Sequence, residues 1–202
     1  MITVHHLNRS RSTRVLWLLE ELAMPYELVK HQRDPQTRLA PASIKAIHPL
    51  SKAPIIVDGD VTLCESGAVM EYILDQDPQQ RLRPARTSPT YYDYLEWLHF
   101  AEGSLGLPVI AHMMMGMEER DGKRPMDYYI AKEIALDFGY IESVLATRPY
   151  FAGDTLTAAD IMMTIMLEFA GSLGLLEDRA QIQAYIERMQ ARPAYQQAAQ
   201  EG

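Results

Sequence analysis

The stretch Ser51-Lys52-Ala53-Pro54-Ile55-Ile56-Val57-Asp58-Gly59-Asp60-Val61-Thr62-Leu63-Cys64-Glu65-Ser66-Gly67 decides how the first part of the chain folds. Ile55-Ile56-Val57 and Val61-Thr62-Leu63 are short β-favourable runs on either side of Asp58-Gly59-Asp60. An Asp-Gly turn between such runs predicts an antiparallel hairpin. Pro54 has no N–H to give to a sheet ladder, so it belongs at a strand start, an edge or a bulge. Only about 5–6% of X–Pro bonds in folded proteins are cis, so the dipeptide alone predicts an ordinary strand-start proline. A cis bond would instead aim the Ala53 N–H and C=O outward, towards an extended peptide. Glu65-Ser66-Gly67 marks the passage from hairpin to helix, with Ser66 as the predicted N-cap. The first amides of that helix are free and sit at the positive end of its dipole, which suits a carboxylate. Glu65 beside them could hold an ammonium, and the pair would then fit an α-amino acid head group. The plainer reading is a helix cap next to a solvated acid.

Working outward, residues 2–7 read as a strand and 8–13 as a polar turn. Residues 14–23 read as a helix, with apolar side chains at helical spacing and Glu20 and Glu21 on the other side. Residues 26–29 form a weak strand, 36–47 a loose helix, and 66–76 the helix after the hairpin. The order βαβαββα within residues 1–77 predicts an α/β domain with a mixed sheet. Residues 78–89 hold Pro78, Pro84 and Pro89 without apolar periodicity and read as a linker. Strand signals then stop. Residues 90–117, 127–146, 158–173 and 179–191 read as helices, so 90–202 is predicted to be all-helical. Thr157 and Asp160 stand as N-cap and N3 of a capping box, with Leu156 and Ile161 as the staple pair. That is folding information rather than chemistry.

Composition narrows the function. The chain has 202 residues and a formal net charge of −8, which argues against a general nucleic-acid binder. Residues 1–80 carry 8 basic against 10 acidic side chains, and residues 81–202 carry 11 against 17. Arg9, Arg11 and Arg14 nevertheless crowd the turn after the first strand with no acid among them. The single cysteine, Cys64, excludes an intrachain disulfide or a cysteine metal cluster and suits a reducing cytoplasm. It reads as a small buried hydrophobe. His5 and His6 lie in the first strand, one of them facing the core, with no ligand partner nearby, so no metal is expected. No apolar run is long enough to span a membrane, and the N-terminus reads as a strand rather than a signal peptide.

The βαβαββα order, a proline opening the third strand, Glu-Ser opening the third helix and a Thr-x-x-Asp box in a helical domain together resemble the cytosolic glutathione transferases. The resemblance runs from residue 1 to about residue 195. It implies a thioredoxin-like N-terminal domain, an all-α C-terminal domain and a homodimer in the cytoplasm. It also implies that Pro54 is cis and that the Ala53 backbone binds the cysteinyl part of glutathione. Glu65 and Ser66 would bind the γ-glutamyl head group, and Lys52 would lie near the glycyl carboxylate. The family takes its catalytic group, a Tyr, Ser or Cys, from the loop after the first strand. Here that loop is Asn8-Arg9-Ser10-Arg11-Ser12-Thr13-Arg14, with neither Tyr nor Cys. Ser10 followed by Arg14 matches the Ser-x-x-x-Arg pattern of the Ser-type classes, with Ser12 and then Asn8 as the other candidate donors.

A free thiol has a pKa of about 8.5 and is mostly protonated at neutral pH. A hydroxyl hydrogen bond to sulfur favours the thiolate, so the serine acts as a donor and glutathione supplies the nucleophile. The alternative is that Ser10 or Ser12 merely caps the first helix. The arginines would rim an anionic tripeptide site and steer it in, with pairing to a core or helix carboxylate as the alternative for Arg14. Met113, Met114 and Met117 would line the site for a small hydrophobic electrophile, although the same residues also read as core or dimer packing. Glutathione is then a co-substrate and no further cofactor is called for. Two other functions fit the same residues: a non-catalytic glutathione-binding or regulatory protein, and a glutathione-dependent peroxidase.

Overall fold

The computed structural model describes residues 1–201. Its first part runs β1 (Ile2–Leu7), α1 (Thr13–Glu21), β2 (Tyr26–His31), α2 (Ala42–Ile47), β3 (Ile55–Asp58), β4 (Val61–Cys64) and α3 (Ser66–Gln76). The four strands form one mixed sheet in the order β2-β1-β3-β4. β1 and β2 are parallel, joined through α1 as parallel neighbours must be, while β3 is antiparallel to both β1 and β4. This is the thioredoxin-like layer expected from the sequence. Val4 and His6 of β1 point inward, and Val15, Leu16, Trp17, Leu18 and Leu19 of α1 are all buried. The hairpin turns through Gly59, whose φ of +56° lies in the region glycine tolerates.

The helix predicted over residues 36–47 is shorter, only Ala42–Ile47. The Asp34 carboxylate explains the loss. It accepts the N–H groups of Gln36 and Thr37, at 3.0 and 2.7 Å, together with the Thr37 hydroxyl. This side-chain turn competes with helix, and Pro41 then sets the N-cap.

The helical part comprises α4 (Tyr91–Gly103), α5 (Gly106–Met115), α6 (Pro125–Leu145), α7 (Ala158–Ser172) and α8 (Ala180–Gln190). The single helix predicted over 90–117 is two. Pro108 cannot lie in the interior of a helix that passes through Ser104, because its ring would meet the carbonyl four residues back. The chain breaks there and Pro108 falls in the first turn of α5, where no N–H partner is required. Gly106 permits the close turn: a Cβ there would stand 3.2 Å from the Ala101 carbonyl oxygen.

The Thr157–Asp160 box opens α7. The Asp160 carboxylate accepts the Thr157 N–H at 2.8 Å, the Thr157 hydroxyl at 2.9 Å, the Phe151 N–H at 2.9 Å and the Tyr185 hydroxyl at 2.9 Å. Asp160 is wholly buried. Burial pushes its carboxyl up, and these donors pull against that shift. They also tie the loop before α7, α7 itself and α8 to one point, beside the Trp97–Phe151–Tyr185 aromatic stack.

The chain forms two compact units, Met1–Arg83 together with the segment from Gln190, and Pro84–Met189. The boundaries differ from those expected of the sequence, 1–77, 78–89 and 90–202. Residues 77–83 are held to the first unit because the buried Asp77 carboxylate accepts the Arg81 N–H and side chain, while Arg81 also donates to the Leu22 carbonyl at 2.7 Å. At the other end, α9 (Pro193–Ala199), which no apolar periodicity announced, packs on α1. Arg192 grips Glu21 with two hydrogen bonds of 2.6 and 2.9 Å, Trp17 Nε1 donates to the same carboxylate, and the Trp17 and Tyr195 rings meet edge to face. Among the described residues, no helix is long and apolar enough to cross a membrane.

Replacing Asp160 by Ala leaves buried donors unpaired and is expected to cost about 3 kcal/mol, lowering Tm by roughly 10 °C in a thermal melt. Glu21→Ala is expected to speed amide exchange in α9 while leaving β1 protected. Acid should act on the same contact. Burial raises the Glu21 carboxyl, but the Arg192 and Trp17 hydrogen bonds and the Arg192 charge outweigh it and hold the pKa below the ordinary range. A depressed carboxyl contributes stability above its unfolded pKa and loses it as pH falls through the folded one. Exchange in α9 measured from pH 6 downward should therefore rise below the ordinary glutamate range, and Glu21→Ala should abolish that dependence.

Candidate functional site

Strand pairing assembles the site. Because β3 is antiparallel to β1 with His5 opposite Ile55, the C-terminal end of β1 lies beside the start of β3. Cys64 pairs with Ile55, so β4 also ends at this edge and delivers the first turn of α3 to it. The loop after β1, the segment Lys52-Ala53-Pro54 and the Glu65–Ser66 junction thus emerge at one end of the sheet. Leu7, Ile44, Ile55 and Cys64 form the apolar floor beneath, with Ala53 packed against it.

The loop hydroxyls differ in access. Ser12 is fully buried and precedes α1. Its Oγ accepts the Leu7 N–H at 3.2 Å and lies 2.9 Å from His6 Nδ1 and 2.7 Å from Ser10 Oγ. Ser10 is half-exposed, and its Oγ also accepts the Ser12 N–H at 3.2 Å. Asn8 is turned to another task. Its Oδ1 accepts the Arg33 N–H at 2.8 Å, and Arg33 returns its guanidinium to the carbonyls of Asn8 and Arg9 at 3.1 and 3.3 Å. Arg33 and His6 therefore shape the loop; the sequence marks His6 only as a candidate core-facing residue and does not mark Arg33 at all. Arg33 lies 25 residues from Asn8 and only the β1–β2 pairing brings it back.

At the other two segments, the Ala53–Pro54 bond is cis and Pro54 is buried, while Lys52 is exposed. The Cys64 thiol is buried and points its Sγ at the Lys52 carbonyl, 3.7 Å away. Ser66 is not the N-cap. Glu65 takes that position with φ +82°, and Ser66 is the first helical residue, buried with its backbone at the helix start. Glu65 itself is exposed. A glutamate at this φ stores roughly 1–3 kcal/mol, and such strain concentrates at binding sites. Arg14 also departs from expectation. It is fully buried and cannot belong to a basic rim, whereas Arg9 is exposed and Arg11 half-exposed.

Of the methionines, Met113 and Met114 lie on α5 of the helical unit and Met117 follows its end. Met114 and Met117 are 54% and 70% exposed, which fits neither of them to a core role within this unit. Tyr94 and Trp97 are buried on α4 and Tyr92 is exposed.

Comparison with known proteins agrees with this architecture. The family profile "Glutathione S-transferase, N-terminal domain" matches residues 4–81, and "Glutathione S-transferase, C-terminal domain" matches residues 108–197. Glutathione S-transferase 3 of Schizosaccharomyces pombe is 33% identical, over 99% of this chain and 87% of its own length. A crystal structure of a glutathione S-transferase from Actinobacillus pleuropneumoniae superposes with a TM-score of 0.89 at 31% identity, covering 100% of this chain and 92% of that one. Elongation factor 1-gamma of S. pombe is 31% identical over 80% of this chain but only 39% of its own length.

Glu65→Gly removes the strain at φ +82° and the acid together. It is expected to leave stability unchanged or raise it by about 1 kcal/mol in denaturant unfolding, since glycine's own entropy cost offsets part of the relief. Glutathione retention by the same variant should fall. A variant that loses stability would show that Glu65 is held there without strain.

Proposed function

This chain belongs to the glutathione S-transferase family and is a transferase, and from that premise we propose that it activates the glutathione thiol for attack on a small hydrophobic electrophile. The observation that carries the reading is the convergence of three segments at one sheet end: a half-exposed serine, a peptide edge at Ala53, and an acid followed by free helix amides.

The γ-glutamyl head group is zwitterionic. Its carboxylate suits the amides at the start of α3, where the helix dipole is positive, and its ammonium suits the Glu65 carboxylate. The cysteinyl part then runs along Ala53 as an extended peptide, and Lys52 attracts the glycyl carboxylate. That placement directs the sulfur towards the loop after β1. Ser10 is the donor assigned to it. Ser12 is buried and its oxygen is already surrounded, whereas Asn8, whose Oδ1 accepts the Arg33 N–H, is the second donor through its Nδ2. A hydroxyl hydrogen bond to the sulfur stabilises the anion more than the thiol and so lowers the thiol pKa. In the chemical step the thiolate lone pair forms the carbon–sulfur bond and the electrophile's leaving group departs, or its double bond takes up the charge. The protein contributes activation and proximity.

The test is Ser10→Ala, read as the pKa of the bound glutathione thiol by its ultraviolet thiolate absorbance. The expected result is an upward shift of about one, with glutathione binding within about threefold of the parent, because a hydrogen bond to a charged group is worth about 1.5–3 kcal/mol. An unchanged thiol pKa would remove Ser10 from the role. Turnover with a chlorinated aromatic but not with an organic hydroperoxide would support conjugation, and the reverse would assign a peroxidase.

A further inference from the structure

His6 is 1% exposed on β1, its Nδ1 lies 2.9 Å from Ser12 Oγ, and its Nε2 is buried without a hydrogen-bond partner. Ser10, Ser12 and His6 therefore form a chain of polar atoms running from the half-exposed loop into the core, with steps of 2.7 and 2.9 Å.

Each hydroxyl has one proton and two lone pairs. If the neutral ring carries its proton on Nδ1, His6 donates to Ser12 Oγ. The two lone pairs of Ser12 are then filled by His6 Nδ1–H and by the Leu7 N–H. Its proton passes to Ser10 Oγ, 2.7 Å away, rather than to the more distant Leu7 carbonyl at 3.4 Å. Ser10 in turn has both lone pairs filled, by the Ser12 hydroxyl and the Ser12 N–H. Its own proton is left for a group outside the chain. The other tautomer reverses the two side-chain steps, while the backbone N–H groups go on donating. Ser12 would donate to Nδ1, and Ser10 would spend its proton on Ser12.

The surroundings favour the first arrangement. A proton on Nε2 would be a buried N–H with no acceptor at hydrogen-bond geometry, which costs more than an idle lone pair in the same place. The groups facing the ring are Lys30 and His31 from β2 and Glu201 from the C-terminal segment. Burial, with the charges of Lys30 and His31, outweighs Glu201 and lowers the imidazole pKa, so the ring is neutral at neutral pH. The Glu201 main-chain carbonyl approaches the ring and favours its protonated form, but Nε2 makes no hydrogen bond of ordinary geometry.

We propose that His6 is a positioning residue whose Nδ1–H tautomer orients the Ser12 hydroxyl, and through it aims the Ser10 proton at the glutathione sulfur. This rests on the assignment of Ser10 as the thiol's donor.

Two measurements test it. The first is the nitrogen-15 spectrum of the intact, glutathione-free protein, with the His6 signals assigned by their loss in a variant. Protonated Nδ1 and bare Nε2 are expected. The opposite tautomer would overturn the proposal, and the result requires no variant to be active. The second compares His6→Asn, whose amide nitrogen falls near the Nδ1 position, with His6→Gln, whose amide reaches the Nε2 position. The bound-thiol pKa should stay close to the parent's in His6→Asn. In His6→Gln it should rise by about one, a roughly tenfold smaller thiolate fraction below that pKa. Glutathione affinity should change little in either. Equal effects in the two variants, or none in either, would contradict the relay. Ser10→Ala separates the two claims. If it raises the thiol pKa while His6→Gln does not, the relay fails and the Ser10 assignment stands. If it leaves the thiol pKa unchanged, the assignment itself fails.

Discussion

The antiparallel pairing of β1 with β3, His5 opposite Ile55 and Val4 opposite Ile56, is the constraint on which the site depends. It places the loop at residues 8–12, the Ala53–Pro54 peptide and the start of α3 at one end of one sheet. A slip of one residue would turn Val4 and His6 outward and move the loop away from Ala53. The register is secured by burial, since Ile2, Val4, Ile55 and Ile56 are core residues on the paired strands. It is also secured by the tight Gly59 turn, which fixes β4 against β3.

Polar groups fix the elements within each unit separately. Asp160 gathers the donors of Phe151, Thr157 and Tyr185, and Asp77 holds Arg81, which reaches the end of α1. Ser12 caps no free helix amide with its side chain. It is instead shared between Leu7, His6 and Ser10. A buried hydroxyl surrounded in this way is a poor partner for substrate and a good support for the more exposed hydroxyl beside it. This division of labour between Ser10 and Ser12 follows from a difference in burial that two serines in one polar loop do not advertise.

Local chemistry was the legible part of the sequence. The Asp-Gly hairpin, the proline opening β3 and the Thr157–Asp160 box each depend on residues only a few positions apart, and each stands where expected. Pro54, Glu65 and Ser66 stand out through the strand-start and cap signals, whereas Lys52 enters only through the resemblance to the glutathione transferases. Contacts between distant positions were not legible. Arg33 meets Asn8, Arg192 meets Glu21 and His6 meets Ser12 only after β1, β2, α1 and α9 have come together. Helix ends were misread where a side chain overrode periodicity: Asp34 shortened α2, Pro108 divided 90–117, and Glu65 rather than Ser66 became the cap of α3. Arg14 looked like part of a charged surface because its neighbours are, yet its place on the inner face of α1 buries it.

The central claim is that glutathione lies across this sheet end with its sulfur at Ser10. A crystal structure of the protein with glutathione tests it most directly. The account predicts the γ-glutamyl carboxylate on the amides at the start of α3 and its ammonium at Glu65. The cysteinyl main chain should pair with Ala53, and the sulfur should stand within about 3.5 Å of Ser10 Oγ. A tripeptide bound there with its sulfur on the Asn8 side chain, or directed away from the loop, would contradict it.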